Sequence, residues 1–330
     1  MLRSLFRILL AALATLAAAS LCQVTYAQSG GRAWPTQTIR LIVPFTPGTG
    51  MDTIARIVAP KLGERLGQAV IVENKAGASG NIGADAVAKA APDGYTLMVG
   101  ANTMLMAANL YKSGPFNPLT DFVPISLGAW GTLMLATIPK TGIVSVADLI
   151  AKAKASPGKL TYGSPGIGTP HHMAMELFKD LTGTDLLHIP YKGSAGAVVD
   201  MLSGSIDLMF IPIHVGMPYV KAGKLKALAV GSPKRHPMAP DLPTLQELGI
   251  KGAEVDMWYA FLAPKGTPAP IVARLNSELR TILALPEVKS AFEKQGLDAA
   301  SNSSAEMAAL MKKDYTRWAL IIKKNNISAD

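Results

Sequence analysis

Residues 39–52 read IRLIVPFTPGTGMD, and this stretch decides the fold class. Ile39 to Phe45 is a short run of apolar and β-branched residues, the pattern of a strand buried on both faces of a parallel sheet. A turn rich in Pro and Gly follows. From Met51 the apolar positions fall at Ile54, Ile57, Val58, Leu62 and Leu66, a spacing that gathers them on one face of a helix. The unit is strand, loop, helix. Working outward, Val70 to Glu73 predicts a second strand, Asn81 to Ala90 a second helix and Thr96 to Gly100 a third strand, the alternation of a doubly wound α/β sheet.

The alternation breaks between Pro115 and Pro139, where two apolar runs, Val123–Ala129 and Thr132–Ile138, read as strands crossing to a second lobe. It then restarts, with helices expected over Val146–Ala155, Pro170–Leu181 and Ala195–Ser203. Strands are expected over Leu160–Ser164, Leu187–Pro190, Ile206–Ile211 and Leu225–Gly231. Trp258–Ala263 reads as the strand crossing back, and the remainder is helical over Pro268–Leu285, Pro286–Gln295 and Ser304–Lys324. The expected division is residues 28–127 with 253–330 in lobe 1, and 128–252 in lobe 2.

The first residues combine Arg3 and Arg7 with an apolar run from Ile8 to Ala19, which is too short for a membrane span of about 20 residues. That is the pattern of an export signal. Thr25-Tyr26-Ala27 supplies small residues for cleavage after Ala27, with Ala19 as an alternative, and the bulky Leu21 before Cys22 argues against lipid attachment there. Residues 1–27 contain two of the 32 basic side chains and none of the 23 acidic ones, so the mature chain carries 30 and 23, a net of +7. Its basic residues are scattered rather than clustered with aromatics, which does not suit nucleic acid. Small anions fit an exported protein better.

Three strand-to-helix turns share Gly and small hydroxyl residues: Pro44–Asp52 (PFTPGTGMD), Gly163–His172 (GSPGIGTPHH) and Tyr191–Gly196 (YKGSAG). Each opens a helix, whose first N–H groups are unpaired and whose dipole favours negative charge. In α/β sheets such turns lie where ligands bind. Thr169 followed by Pro170 is either a helix cap or a ligand contact. Lys192 either meets a carboxylate or is a solvated charge, and Asp52 suits the dipole of its helix. His171 and His172 point about 100° apart on a helix, so they cannot share one metal ion. His172 and Glu176 have a usable i, i+4 spacing but no evident third ligand. No metal and no cofactor is expected. Neither GxSxG, HExxH nor a P-loop occurs, and Gly77–Gly83 is GxxGxxG rather than a nucleotide loop, so no catalytic residue is assigned.

Along nearly the whole mature length the chain resembles the Bug family of extracytoplasmic solute receptors, the binding components of tripartite tricarboxylate transporters. The similar stretches include WPTQTIRLIVPFTPGTGMDTIAR, LGQAVIVENKAGASGNIGADAVAKAAPDGYTLMVG, LTYGSPGIGTPHHMAMELF and HIPYKGSAGAVVDMLSGSIDLMF. The resemblance implies a type II periplasmic-binding-protein fold, two doubly wound lobes joined by crossing strands, acting as a periplasmic monomer that engages membrane transporter subunits transiently. It implies that a solute carboxylate is held by Phe45, Thr46, Pro47, Gly48, Thr49, Gly50 and Asp52 from the first lobe. From the second it implies Ser164, Gly166, Ile167, Gly168, Thr169 and His172, together with Tyr191, Lys192, Gly193 and Ser194. A sensory receptor of the same fold, presenting its solute to a membrane signalling protein, is the alternative that co-purification would separate.

Three positions depart from the family pattern. Thr49 replaces a glycine, with a new one at Gly50; Ile167 replaces a residue that is often Asn; and Ile211 replaces an acid expected near the cleft. Loss of that acid removes a partner for an ammonium group. The expected cargo is therefore a mono- or dicarboxylate without an amine, aromatic acids included.

Overall fold

The computed structural model describes residues 34–110, 114–255, 257–325 and 327. The expected export signal and its cleavage site lie outside them. Within residues 37–330 two sheets form. The first contains β1 (Ile39–Val43), β2 (Val70–Asn74), β3 (Thr96–Ala101), β4 (Phe122–Gly131), β10 (Met257–Pro264) and β11 (Leu297–Ala299) in the order β11-β4-β10-β3-β1-β2. The second contains β5 (Leu133–Thr137), β6 (Thr161–Ser164), β7 (Leu187–Pro190), β8 (Leu208–Pro212) and β9 (Lys226–Val230) in the order β7-β6-β8-β5-β9.

The opening βα unit forms as its sequence dictates. β1 is parallel to both neighbours, with Leu41 opposite Val72 and Leu97, and Leu41, Ile42 and Val43 are buried. α1 (Gly50–Leu66) buries Ile54, Val58 and Leu62, starts at the Thr49 cap and stops at Gly67, whose φ of 68° is left-handed. In the second lobe α5 (Pro170–Thr182) repeats the device, with Thr169 as cap, Pro170 in its first turn and Gly183 at φ 61° past its end. The same lobe carries α4 (Val146–Ala155), α6 (Ser194–Ser203) and α7 (Ile213–Lys221). The first carries α2 (Asn81–Ala88), α3 (Thr103–Leu110), α8 (Ala269–Ala284), α9 (Pro286–Glu293) and α10 (Ser304–Lys324). No helix among the described residues is long and apolar enough to cross a membrane.

Each lobe has its own core: Ile42, Met98, Leu105, Trp258 and Met307 in the first, Met134, Met201, Met209, Ile211 and Val230 in the second. The chain passes between them at two adjacent places. β4 stays paired with β10 as far as Gly131, and Leu133 already belongs to the second sheet, so the outward crossing is Thr132 rather than residue 127. The extra residues are held by the antiparallel β4–β10 ladder. On the return, Val255 donates its N–H to the Gly231 carbonyl at 3.0 Å and Met257 pairs with Gly131. The runs read as crossing strands are thus strands of single sheets, joined by short links.

Three elements had no signal in the sequence reading: α3, α7 and β11. α3 is buried on nearly every side, so TMLMAANL has no apolar stripe to read. α7 contains Gly216 and Pro218, residues that normally break a helix. β11 has only three residues, pairing Leu297 with Gly131.

Candidate functional site

A cavity of about 480 Å³ lies between the lobes, a size typical of small-molecule sites. The first lobe lines it with Thr46, Pro47, Gly48, Thr49 and Gly50 from the β1–α1 turn, flanked by Phe45 and Met51. Ala101 and Thr103 enter from the β3–α3 connection, and Met257 and Tyr259 from β10. The second lobe supplies Pro165, Thr169, Pro170 and His171, then Gly193, Ser194 and Ala195. Val198, Val199 and Leu202 continue along α6, and Pro212, His214, Val215 and Tyr219 come from α7 and its cap.

The first turn is built by its own hydrogen bonds. Gly48 takes φ 84°, a conformation that favours glycine, and donates its N–H to Asp52 Oδ2 at 3.0 Å. Thr49 Oγ1 donates to the Thr46 carbonyl at 3.2 Å and accepts from the Asp52 N–H, capping α1. Gly50 has a steric reason as well, since a Cβ there would stand 2.5 Å from the Tyr259 hydroxyl. The Thr49–Gly50 departure therefore accommodates a tyrosine two hundred residues away in sequence.

Five helices direct their first turns at the cavity, marked by Gly50 of α1, Thr103 of α3, Pro170 of α5, Ser194 of α6 and the Pro212 cap of α7. Thr49 and Thr169 each take one first-turn N–H of α1 and α5, and the N–H groups left over, with the dipoles, favour an anion. Gly193 and Pro212 provide no side-chain cap; on α7 the Ile213 N–H goes to the Thr132 carbonyl at 3.1 Å, while α6 leaves its first N–H groups to whatever occupies the space. Among the described residues no Asp, Glu, Lys or Arg lines the cavity. Its two histidines are neutral at neutral pH. Burial pushes His171 down to about 3, and burial, with His236 nearby, pushes His214 down to about 4. Neither ring nitrogen of His171 has a hydrogen-bond partner.

Phe45, Thr46, Pro47, Gly48, Thr49, Gly50, Thr169, Gly193 and Ser194 come together as expected from the sequence. The other eight expected residues do not line the cavity. Asp52 is buried behind the turn, receiving Arg56 Nε at 3.0 Å, the Gly48 N–H and Asn74 Nδ2 at 2.9 Å. Ser164 contacts His188 Nε2 at 2.7 Å beneath the second turn. His172 accepts the Gly168 N–H at 3.2 Å and stacks on His188, ring centroids 4.1 Å apart, so the histidine of this pair that lines the cavity is its neighbour His171. Helix geometry separates adjacent side chains by about 100°, so only one of the two histidines reaches the lining.

Gly166, Ile167 and Gly168 instead meet the opposite lobe. Ser79 donates its hydroxyl to the Ile167 carbonyl at 3.2 Å, a Cβ on Gly166 would lie 3.1 Å from Ser79 Oγ, and one on Gly168 would lie 2.7 Å from Leu110 Cδ1. Tyr191 turns its hydroxyl to Asp200 Oδ2 at 2.6 Å, and Lys192 is exposed. Ile211 is fully buried in the second core, so it says nothing about a lost acid at the cleft.

Thr169 is a cap that also lines the cavity. Its hydroxyl donates to the Gly166 carbonyl at 2.7 Å and accepts from the His172 N–H, so the side chain caps α5 and pins the turn. Thr169→Val is expected to cost about 1 kcal/mol of stability, the ordinary value of a lost cap, read by urea unfolding. An unchanged midpoint would deny it that role.

Two α/β lobes joined by paired crossing segments around a solute-sized cavity define a periplasmic-binding-protein fold, the architecture of a receptor rather than an enzyme. The chain belongs to the tripartite tricarboxylate transporter family receptor family, TctC, whose model matches residues 54–327. It is 37% identical over 293 residues to Protein BugT of Bordetella pertussis, covering 88% of this chain and 90% of that protein. Among solved structures, Rpa4515 of R. palustris with adipate is 35% identical, with a TM-score of 0.84 over 89% of this chain and 99% of that one. MatC of Rhodopseudomonas palustris with bound malate is 29% identical, with a TM-score of 0.81 over 88% and 100%.

Proposed function

We propose that this receptor captures a small carboxylate without an amine in the interlobe cavity and presents it, in the periplasm, to the membrane subunits of a tripartite tricarboxylate transporter. The observation that carries the reading is a cavity ringed by five helix starts with, among the described residues, no charged side chain in its lining. An anion gains hydrogen bonds there, each about 1.5–3 kcal/mol to a charged group, whereas an ammonium has no carboxylate to meet. A few such bonds are enough for micromolar affinity, about −8 kcal/mol, after ordering costs. The carboxylate lies against the backbone of Gly48–Gly50 and Gly193–Ala195. Relatives bound to adipate and malate support the class of cargo.

A thermal-shift screen of the mature protein tests this reading. Organic acids lacking an amine are expected to raise stability by about 2.7 kcal/mol at a hundredfold excess over their dissociation constant. Stabilisation by aspartate or glutamate alone would overturn it.

A further inference from the structure

The cavity is chemically uneven. Ser194 and Ala195 stand at the start of α6, and Val198, Val199 and Leu202 carry the lining onward along the same helix. The eight steps from Ser194 to Leu202 at about 1.5 Å per residue make a wall of about 12 Å. On α7 the lining likewise runs from the Pro212 cap to Val215 and Tyr219. On α6 and on α7 the backbone donors suited to an anion lie at the starting end of the wall, because only the first turn of a helix has free N–H groups. Beyond it stand two valines and a leucine. Val199 is 64% exposed, an apolar side chain left facing the space that a ligand would cover.

A second carboxylate at the far end would lose water and gain little. Among the described residues no Lys or Arg lines any part of the cavity, and the Tyr219 hydroxyl is the polar side-chain group on that part of α7. Desolvating an unpaired carboxylate is costly, whereas an apolar body gains from covering these side chains.

We infer that the cargo carries one carboxylate, seated at the helix starts, and an apolar body, alkyl or aromatic, lying along Val198, Val199 and Leu202. This rests on the carboxylate reading above and narrows it to amphipathic monoacids. Adipate and malate, seen in the relatives, each carry two carboxylates.

Calorimetry on the full mature receptor tests it with matched pairs: hexanoate against adipate, and 4-methylbenzoate against benzene-1,4-dicarboxylate. In at least one pair the monoacid is expected to bind tenfold tighter or better. Straight-chain monoacids from acetate to hexanoate should tighten about fourfold per methylene. Val199→Arg, at an exposed position that should not disturb folding, is expected to shift the adipate-to-hexanoate ratio at least tenfold towards adipate. Tighter diacid binding in both pairs, a flat monoacid series, or a ratio unmoved by Val199→Arg overturns the inference while leaving carboxylate capture intact. Failure of every mono- and diacid to bind overturns both.

Discussion

Ser194→Asp is expected to weaken carboxylate binding at least a hundredfold while leaving the melting temperature unchanged or slightly higher. Ser194 is the first residue of α6, and its cap, Gly193, offers no side chain to the helix start. An aspartate placed there satisfies the free N–H groups itself, and a negative group in a first turn stabilises a helix by about 0.3–1 kcal/mol. The solute then faces an occupied site and a like charge. Two unit charges 4 Å apart near a protein surface interact by about 4 kcal/mol, and a hundredfold loss needs only about 2.7 kcal/mol. Ser194→Asn has nearly the same shape without the charge and is expected to lose less than tenfold. Calorimetry on the two variants separates charge from shape. Equal, near-native affinity in both would mean that the anion does not sit at α6.

The sequence disclosed local architecture and concealed what depends on distant residues. IRLIVPF followed by an amphipathic helix defines a βα unit through nearest-neighbour patterning, so β1, α1 and α5 could be read directly, with Thr169 as a candidate cap. The glycine-bearing turns were visible for the same reason. Which side chains a turn presents was not. Asp52 looked like a site residue beside Gly48, but Asn74 and Arg56 draw its carboxylate beneath the loop. His171 and His172 could be told apart only once α5 was packed with His188 against His172.

Tyr259 left no trace beside the turn that accommodates it, since β10 reaches the site only by inserting between β3 and β4. The interlobe contact of Ser79 with Ile167 is equally non-local. Ile211 is core and bears on no cargo; the proposed preference against amines rests on the uncharged lining among the described residues. One usable signal was overlooked. Val198 and Leu202 lie one helical turn apart on the helix opened by a glycine-bearing turn, which places them on the wall that continues from the anion site.

Asp52→Ala is expected to be the most destabilising change at the first turn, costing about 2–3 kcal/mol at neutral pH, because one buried carboxylate organises three partners. Removing it leaves the Gly48 N–H without its acceptor and the Asn74 amide with only the Phe45 carbonyl, while Arg56, half exposed, recovers water. Burial by itself would raise the Asp52 pKa. Hydrogen bonds from Arg56, the Gly48 N–H and Asn74, with the charge of Arg56, together outweigh burial and hold it below the ordinary value of 3.8. A carboxyl whose folded pKa is depressed contributes stability above its unfolded pKa and loses that contribution as pH falls through the folded value. The native protein should therefore lose the Asp52 share of its stability below about pH 4, and the variant should show a correspondingly flatter acid limb. Solute affinity should fall too, by about tenfold at neutral pH, since the turn that presents Gly48–Gly50 is no longer pinned. Urea unfolding from pH 3 to 7, paired with calorimetry at pH 7, measures both effects. A variant as stable as the native protein at pH 7, with an unchanged acid limb, would show that the turn holds its shape without Asp52.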